Sequence, residues 1–241
     1  MHISLILCLA FRLATWNVGH WSNGAHSTST IEPGEEESRK AAQYQAKLEA
    51  IDADWFGAAE YSSNFVARGS ADASERVFKR YPCRQVGPVH NYQWNAVFHS
   101  PRFQVLESKV EYYPVHHQKT YAYAHRVLVD GAYEAWFVQT HLDFIKPEIR
   151  TAEIAWLVEH YGKKDRVVIA GDFNTKDSFS EYDIFSNAGF NVLNTRLPTM
   201  GKGIRDNIIV KGFKASDLTL IPKEKLSDHN GLVVTLEPTG L

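Results

Sequence analysis

Apolar positions in this chain fall mainly in short runs of Val, Ile, Phe, Tyr and Trp. These predict strands at 12–17, 55–61, 94–99, 103–112, 122–129, 133–140, 166–171, 206–210 and 231–236. The run at 166–171 is apolar almost throughout, the pattern of a strand covered on both faces. Elsewhere the period changes. Ala41, Tyr44, Leu48 and Ile51 follow 3-4-3 spacing and predict a helix beginning near Gly34. Glu35, Glu36 and Glu37 would occupy its first turn, where the helix end is partly positive. Ile149, Ala152 and Trp156 mark the stripe of a second helix, with Pro147 near its start. A shorter helix is expected over about 180–187, ending at Gly189. Asp130 and Gly131 between two apolar runs spell a two-residue hairpin turn, which would pair residue 129 with 132. Strands dominate and helices interrupt them, so two packed sheets with helices outside are expected.

No repeat, linker or low-complexity segment divides the 241 residues, and a single domain over 1–241 follows. Apolar residues make up 44% and charged residues 22%, enough core and too little charge for a disordered chain. The net charge of −2 and absence of a basic block argue against an avid nucleic-acid binder. A hydrolase needs only local contacts to one phosphate, so nuclease activity stays open. Two cysteines, Cys8 and Cys83, fit neither a disulfide scaffold nor a zinc motif and read as buried thiols. No apolar run reaches the roughly 18–20 residues of a membrane span. Residues 1–11 read equally as the remnant of a secretory signal or as the lead-in to the first strand, leaving cytoplasmic and secreted locations both open. The longest polar stretch is 19–34.

Several strand candidates end in polar side chains of one chemical kind. The buried run closes as Gly171, Asp172, Phe173, Asn174, where a carboxylate can take a proton from water and an amide can hydrogen-bond a phosphate oxygen. If the chain stays extended, alternation puts Asp172 and Asn174 on one side. The alternative is an Asx turn after a strand. Asn17 and Glu60 each close a strand-like run and offer the oxygen donors a hard cation prefers. His141 follows the strand at 133–140, Asp206 opens another, and Asp228 and His229 stand before the last. A carboxylate such as Asp206 can orient a histidine and stabilise its imidazolium. Singly, each has an ordinary reading as edge or turn polarity.

In order, the pieces TWN at 15–17, E at 60, THL at 140–142, GDFN at 171–174, DNIIV at 206–210 and SDH at 227–229 resemble the endonuclease/exonuclease/phosphatase superfamily. That group includes deoxyribonuclease I, abasic-site endonucleases, bacterial sphingomyelinases and inositol-polyphosphate 5-phosphatases. The resemblance implies an α+β fold, a four-layer α/β/β/α sandwich of two packed mixed sheets, with the site at one edge. It implies Mg2+, or Mn2+ in its place, held by Asn17 and Glu60. Asp172 would activate water, Asn174 bind phosphate, Asp206 support His229, Asp228 serve a second or metal-linked site, and His141 contact the phosphate.

Departures bear on the substrate side. Deoxyribonuclease-like members carry a carboxylate where this chain reads Asn91, Tyr92, Gln93, Trp94, Asn95; Gln93 or Asn95 would have to substitute, and Asn95 is the substrate-binding candidate. A basic phosphate ligand is not evident. The expected hairpin register puts Arg126 six residues from His141, roughly 20 Å away, so a surface role suits it, and Lys119 or Lys176 lies nearer. The stretch 19–34 and the segment 114–121, with His116 and His117, are expected to shape specificity. The protein, expected to be a monomer, would take a phosphate ester as its substrate, nucleic acid among the candidates. Three readings stand: a nuclease or general phosphodiesterase; a phosphatase or sphingomyelinase-like hydrolase; and an inactive binding module, which has no chemical need for the full set of polar residues.

Overall fold

The computed structural model describes residues 9–19, 35–61, 76–88, 94–115, 120–175 and 180–240, the side chains of 35–37 and 94 aside. The elements are β1 (Phe11–Asn17), α1 (Glu35–Ile51), β2 (Trp55–Tyr61), β3 (Cys83–Val86), β4 (Trp94–His99), β5 (Phe103–Tyr112), β6 (Tyr121–Val129) and β7 (Tyr133–His141). They continue as α2 (Pro147–Tyr161), β8 (Val167–Asp172), α3 (Ser180–Asn187), β9 (Asn191–Val192), β10 (Asp206–Lys211), β11 (Phe213–Ile221) and β12 (Gly231–Pro238). One sheet runs β11-β12-β1-β2-β4-β3 and the other β5-β6-β7-β8-β10-β9. Both are mixed, with β1 parallel to β2 and β7 parallel to β8. Helix α1 connects the first parallel pair and α2 the second, as parallel neighbours require.

Side-chain alternation builds the layers. In β8, Val168 and Ala170 face the other sheet, where they share a core with its Leu13 and Trp55, flanked by Phe137 and Ile208 of their own sheet. Val167 and Ile169 face outward onto Ile154, Leu157 and Phe185 of α2 and α3. On the far side, Tyr44 and Leu48 of α1 cover Trp16, Phe56 and Phe98. The result is the expected α/β/β/α sandwich, and the all-apolar character of β8 follows from its being covered on both faces. No described helix is long and apolar enough to cross a membrane.

The α1 stripe of Ala41, Tyr44, Leu48 and Ile51 is buried as expected. The α2 stripe is not. Its buried face carries Arg150, Glu153, Ile154, Leu157 and Tyr161, while Ile149, Ala152 and Trp156 are only partly covered. Paired charge explains the error: Arg150 reaches Glu181 at 3.1 Å and the Asp143 carbonyl at 3.2 Å, so a polar residue occupies a core position. The hairpin register also differs. The turn closes between Ala132 N–H and Val129 O at 2.9 Å, but Ala132 is left over and Val129 pairs with Tyr133. Arg126 therefore faces Trp136, five positions along β7 from His141 and roughly 17 Å away at strand rise. It pairs with Glu134 at 2.9 Å on the surface.

Strands β3, β9 and β11 were not anticipated. Strands β3 and β11 lie at the edges of their sheet, and the polar sequence of β11 needs no apolar face toward solvent. Cys83, on β3, is a free, half-buried thiol rather than a core one; Cys8 lies outside the described residues. The first strand begins at Phe11, paired with Leu236. The preceding residues 1–8 lie outside the described ones, as does 20–34 of the polar stretch.

Candidate active site

Six polar side chains meet where the two sheets open at one end. Register puts three of them side by side on one sheet: His141 pairs with Asp172 across β7 and β8, and Asp206 pairs with Asp172 across β10 and β8. The other sheet supplies Glu60 from β2, Asn17 from β1 and His229 from the turn before β12. Each side chain faces a partner across the gap. His141 Nε2 lies 3.8 Å from Glu60 Oε1, Asn17 Nδ2 donates to Asp172 Oδ2 at 2.9 Å, and His229 Nδ1 meets Asp206 Oδ2 at 2.7 Å.

Local backbone features aim these groups. A Cβ on Gly171 would sit 1.9 Å from the Thr140 carbonyl oxygen, so only glycine lets β7 and β8 carry His141 and Asp172 at adjacent ends. Along β2, Trp55 faces the other sheet while Phe56 and Ala58 face α1. Tyr61 also faces α1, one residue out of step, because a bulge lies between Ala58 and Tyr61. Glu60 is the inserted residue, at φ +53°, and the bulge turns its carboxylate to Asn17, whose Nδ2 donates to it at 3.0 Å. Regular alternation would have sent Glu60 toward the helix.

Asp172 is 1% exposed, and its second oxygen accepts the Asn174 backbone N–H at 2.8 Å. This is an Asx turn, with Asn174 at φ +54°, the alternative to an extended chain through Asp172 and Asn174. The Asn174 side chain instead donates to Leu142 O at 3.0 Å, which ties it to the segment after His141. Ser227 Oγ donates to Asn17 O at 2.7 Å and accepts His229 N–H at 3.0 Å, locking two site residues together. Trp16 Nε1 holds the His229 carbonyl at 2.8 Å, and Thr199 Oγ1 accepts Asp206 N–H at 2.9 Å. Trp16 and Ser227 sit inside the motifs already noted; Thr199 carries no signal of its own, since only tertiary contact brings it to Asp206.

Burial opposes a charge on His229, yet the carboxylates of Asp206 and Asp172 overcome it and hold the imidazole up at about 10. Burial likewise pushes the Asp206 carboxyl upward, against the pull of His229. The pair shares one proton, and a ring that also has Asp172 Oδ2 at 3.8 Å takes it. The histidine side of the site is thus a buried imidazolium directed at Asp172.

Among the described residues, two groups of side chains have ligand atoms within 4.8 Å of one another: Glu60, His141 and Asp172; and Asp172, Asp206 and His229. Asn17 donates its Nδ2 to both carboxylates of the first group while its Oδ1 accepts the Gly19 N–H, so the Glu60 and Asp172 carboxylates are the oxygen donors that converge there. Such a set fits a hard divalent cation that keeps most of its water. Asp228 joins neither group: its Oδ1 would lie 3.0 Å from a Cβ on Gly19. Asn95 lies one strand beyond Glu60, with its side-chain amide 3.4 Å from the Tyr121 carbonyl. Gln93, His116, His117, Lys119 and Lys176 lie outside the described residues.

The sequence matches no protein-family model and no curated protein. The fold does match solved structures. D. rerio TDP2, solved with a single-strand DNA product, superposes with a TM-score of 0.72 at 16% identity, over 95% of this chain and 99% of that one. An endonuclease/exonuclease/phosphatase protein from Bacteroides vulgatus gives 0.71 at 16% identity, over 95% and 99% of the two chains. A protein of the same family from Bacteroides thetaiotaomicron gives 0.69 at 18%, over 94% and 97%. The chain has the endonuclease/exonuclease/phosphatase fold.

Proposed function

We propose that the chain is a divalent-metal-dependent phosphodiesterase. The observation that carries this reading is the facing of Glu60, Asn17 and His229 against His141, Asp172 and Asp206, with Asp172 in contact with or close to all the other five. A carboxylate between two histidines, beside a cation-binding cluster, is what in-line attack by water on phosphorus needs.

In this mechanism Asp172 orients the attacking water and accepts its proton. The Asn174 N–H fixes the orientation of that carboxylate, leaving Oδ2 toward the site. His229, protonated and oriented by Asp206, donates to a phosphoryl oxygen as charge grows there. His141, 3.6 Å from Asp172, lies close enough to donate to the same group. Glu60 and Asn17 would hold Mg2+, or Mn2+ in its place, which when bound neutralises charge on the phosphoryl group or leaving oxygen. Asp228 belongs in this reading to a second or metal-linked site, and its charge adds to those that raise His229. Asn95 is assigned to substrate binding.

A second reading, hydrolysis of a lipid headgroup, draws support from one feature. Phe144 and Ile145, each 47% exposed, follow His141 by three and four residues. The discriminating experiment is a panel assayed with and without Mg2+: plasmid DNA, RNA, bis-p-nitrophenyl phosphate, p-nitrophenyl phosphate, sphingomyelin and inositol phosphates. The diester is expected to be cleaved, and EDTA to abolish cleavage. Hydrolysis of the monoester but not the diester would overturn the proposal.

A further inference from the structure

The row of facing residues does not stop at His141. Beyond β7 and β2 come β6 and β4, and these too meet across the sheets. Asn95 N–H donates to the Tyr121 hydroxyl at 3.1 Å, and that hydroxyl donates to Pro88 O at 3.0 Å. Tyr121 directly precedes Ala122, which pairs with Thr140, so it stands level with His141. One strand farther, Tyr112 pairs with Tyr121, and the two rings are 5.7 Å apart at 63°. Directly paired residues share a face of the sheet. Tyr112 therefore stands on the same face as Tyr121, two strand spacings or about 10 Å from the level of His141. Tyr121 is 5% exposed and Tyr112 is 50% exposed.

A half-exposed tyrosine at the end of an edge strand is ordinary by itself. Its place as the last rung of the row that forms the site is not. The neighbouring ring beneath it is fixed by hydrogen bonds to two backbone segments, so the Tyr112 ring has a rigid support and an open surface. A ring so placed suits a flat aromatic group carried by the substrate, one sugar away from a phosphate held on the His141 side of the site. Every nucleobase has such a face, and stacking on it needs no particular base. The net charge of −2 fits a nucleotide or a short strand better than a long polyanion, whose binding needs many Lys and Arg contacts.

We infer that Tyr112 is a base-stacking subsite and that the substrate class is a nucleotide ester. This rests on the phosphodiesterase reading above and adds to it the chemistry of the group beside the phosphate. Phe144 and Ile145 would instead be the residues that matter if the partner were a bilayer.

Two measurements test it separately from catalysis. Thymidine 5'-(p-nitrophenyl phosphate) and methyl p-nitrophenyl phosphate share a leaving group and differ in the nucleoside. Tyr112→Ala should lower kcat/KM for the nucleoside ester about tenfold, through KM. The methyl ester should be unaffected, and Tyr112→Trp should keep the preference. Calorimetric binding of thymidine 5'-phosphate against inorganic phosphate needs no turnover. The wild-type protein should prefer the nucleotide about tenfold, and Tyr112→Ala should not. A wild-type preference that survives Tyr112→Ala, or no preference at all, overturns the inference. So does loss of activity on phosphatidylcholine vesicles doped with sphingomyelin in Phe144→Ala with no change on the nucleoside ester. Base-dependent binding without hydrolysis of either ester would uphold the subsite and remove the phosphodiesterase reading.

Discussion

Asp206→Asn probes the electrostatics of the His229 side. The change preserves shape and leaves an oxygen to accept from the ring, but it removes a full charge 2.7 Å from Nδ1. Both side chains are buried, at 0% and 3% exposure, so solvent screens little of the attraction. At 4 Å and an effective dielectric of 20 the interaction is already about 4 kcal/mol. At 1.36 kcal/mol per unit this is about 3 units of pKa. His229, held at about 10 in the native site, should fall to about 7. At pH 8.5 only about 3% of the rings would keep the proton, so the rate should fall about 30-fold, short of the about 10²–10³ that complete loss of a charged donor costs. At pH 6 the ring regains its proton, and the deficit should nearly vanish. Initial rates on bis-p-nitrophenyl phosphate at saturating Mg2+ from pH 6 to 9 read this directly, with thermal unfolding run alongside. A variant whose pH profile runs parallel to the wild type would refute the argument. The same shift has a stability consequence. His229 keeps its proton in the folded protein to about 10 but loses it near 6.5 when unfolded. Its contribution is therefore complete below pH 6.5 and disappears as pH rises through 10.

Other outcomes follow from the same contacts. Asp172→Ala should lower kcat on the diester at least ~10²-fold with the fold intact by circular dichroism; near-full activity would remove the general-base role. Gly171→Ala would force a Cβ to 1.9 Å from a backbone oxygen at a φ of +139°, and the strands must part by roughly 1 Å. A melting temperature lower by about 10 °C is expected, corresponding to about 3 kcal/mol; an unchanged one would mean the strands separate at little cost. Glu153 is buried and its carboxyl is raised to about 7, chiefly by that burial, against hydrogen bonds from Thr120 and the Asp143 N–H. The folded protein keeps this proton when the unfolded chain releases it near 4.5, so stability should fall as pH rises from 4.5 to 7 and then level off. The full change is about 3 kcal/mol. Glu153→Gln should flatten that slope in urea titrations at pH 5 and 8, and an unchanged slope would place its origin elsewhere.

Much of the fold was legible because burial leaves a periodic record. The continuous run at β8 marked a strand covered on both faces, and the 3-4-3 spacing of Ala41, Tyr44, Leu48 and Ile51 marked α1 with its buried side. Where paired charges replaced apolar side chains the record failed, and α2 was misphased by Arg150 and Glu153. The edge strands β3 and β11 left little trace because an edge facing water places few demands on its residues.

The site divides along the same line. Residue types and their order along the chain determined which side chains are polar at strand ends; they pointed to Asn17, Glu60, His141, Asp172, Asp206 and His229, and equally to Asn174 and Asp228, which the structure does not bring into the facing set. Their spatial pairing was decided by tertiary structure alone. Opposition of Glu60 to His141, Asn17 to Asp172 and His229 to Asp206 depends on sheet order and register, which join residues up to 155 positions apart. Orientation also lay beyond the sequence: a bulge turns Glu60, and an Asx turn withdraws Asn174 from the side of Asp172 where alternation would have put it. Local periodicity specifies which face of its own strand a residue occupies. It carries no information about which strand lies across the gap, because that is settled by the packing of two whole sheets.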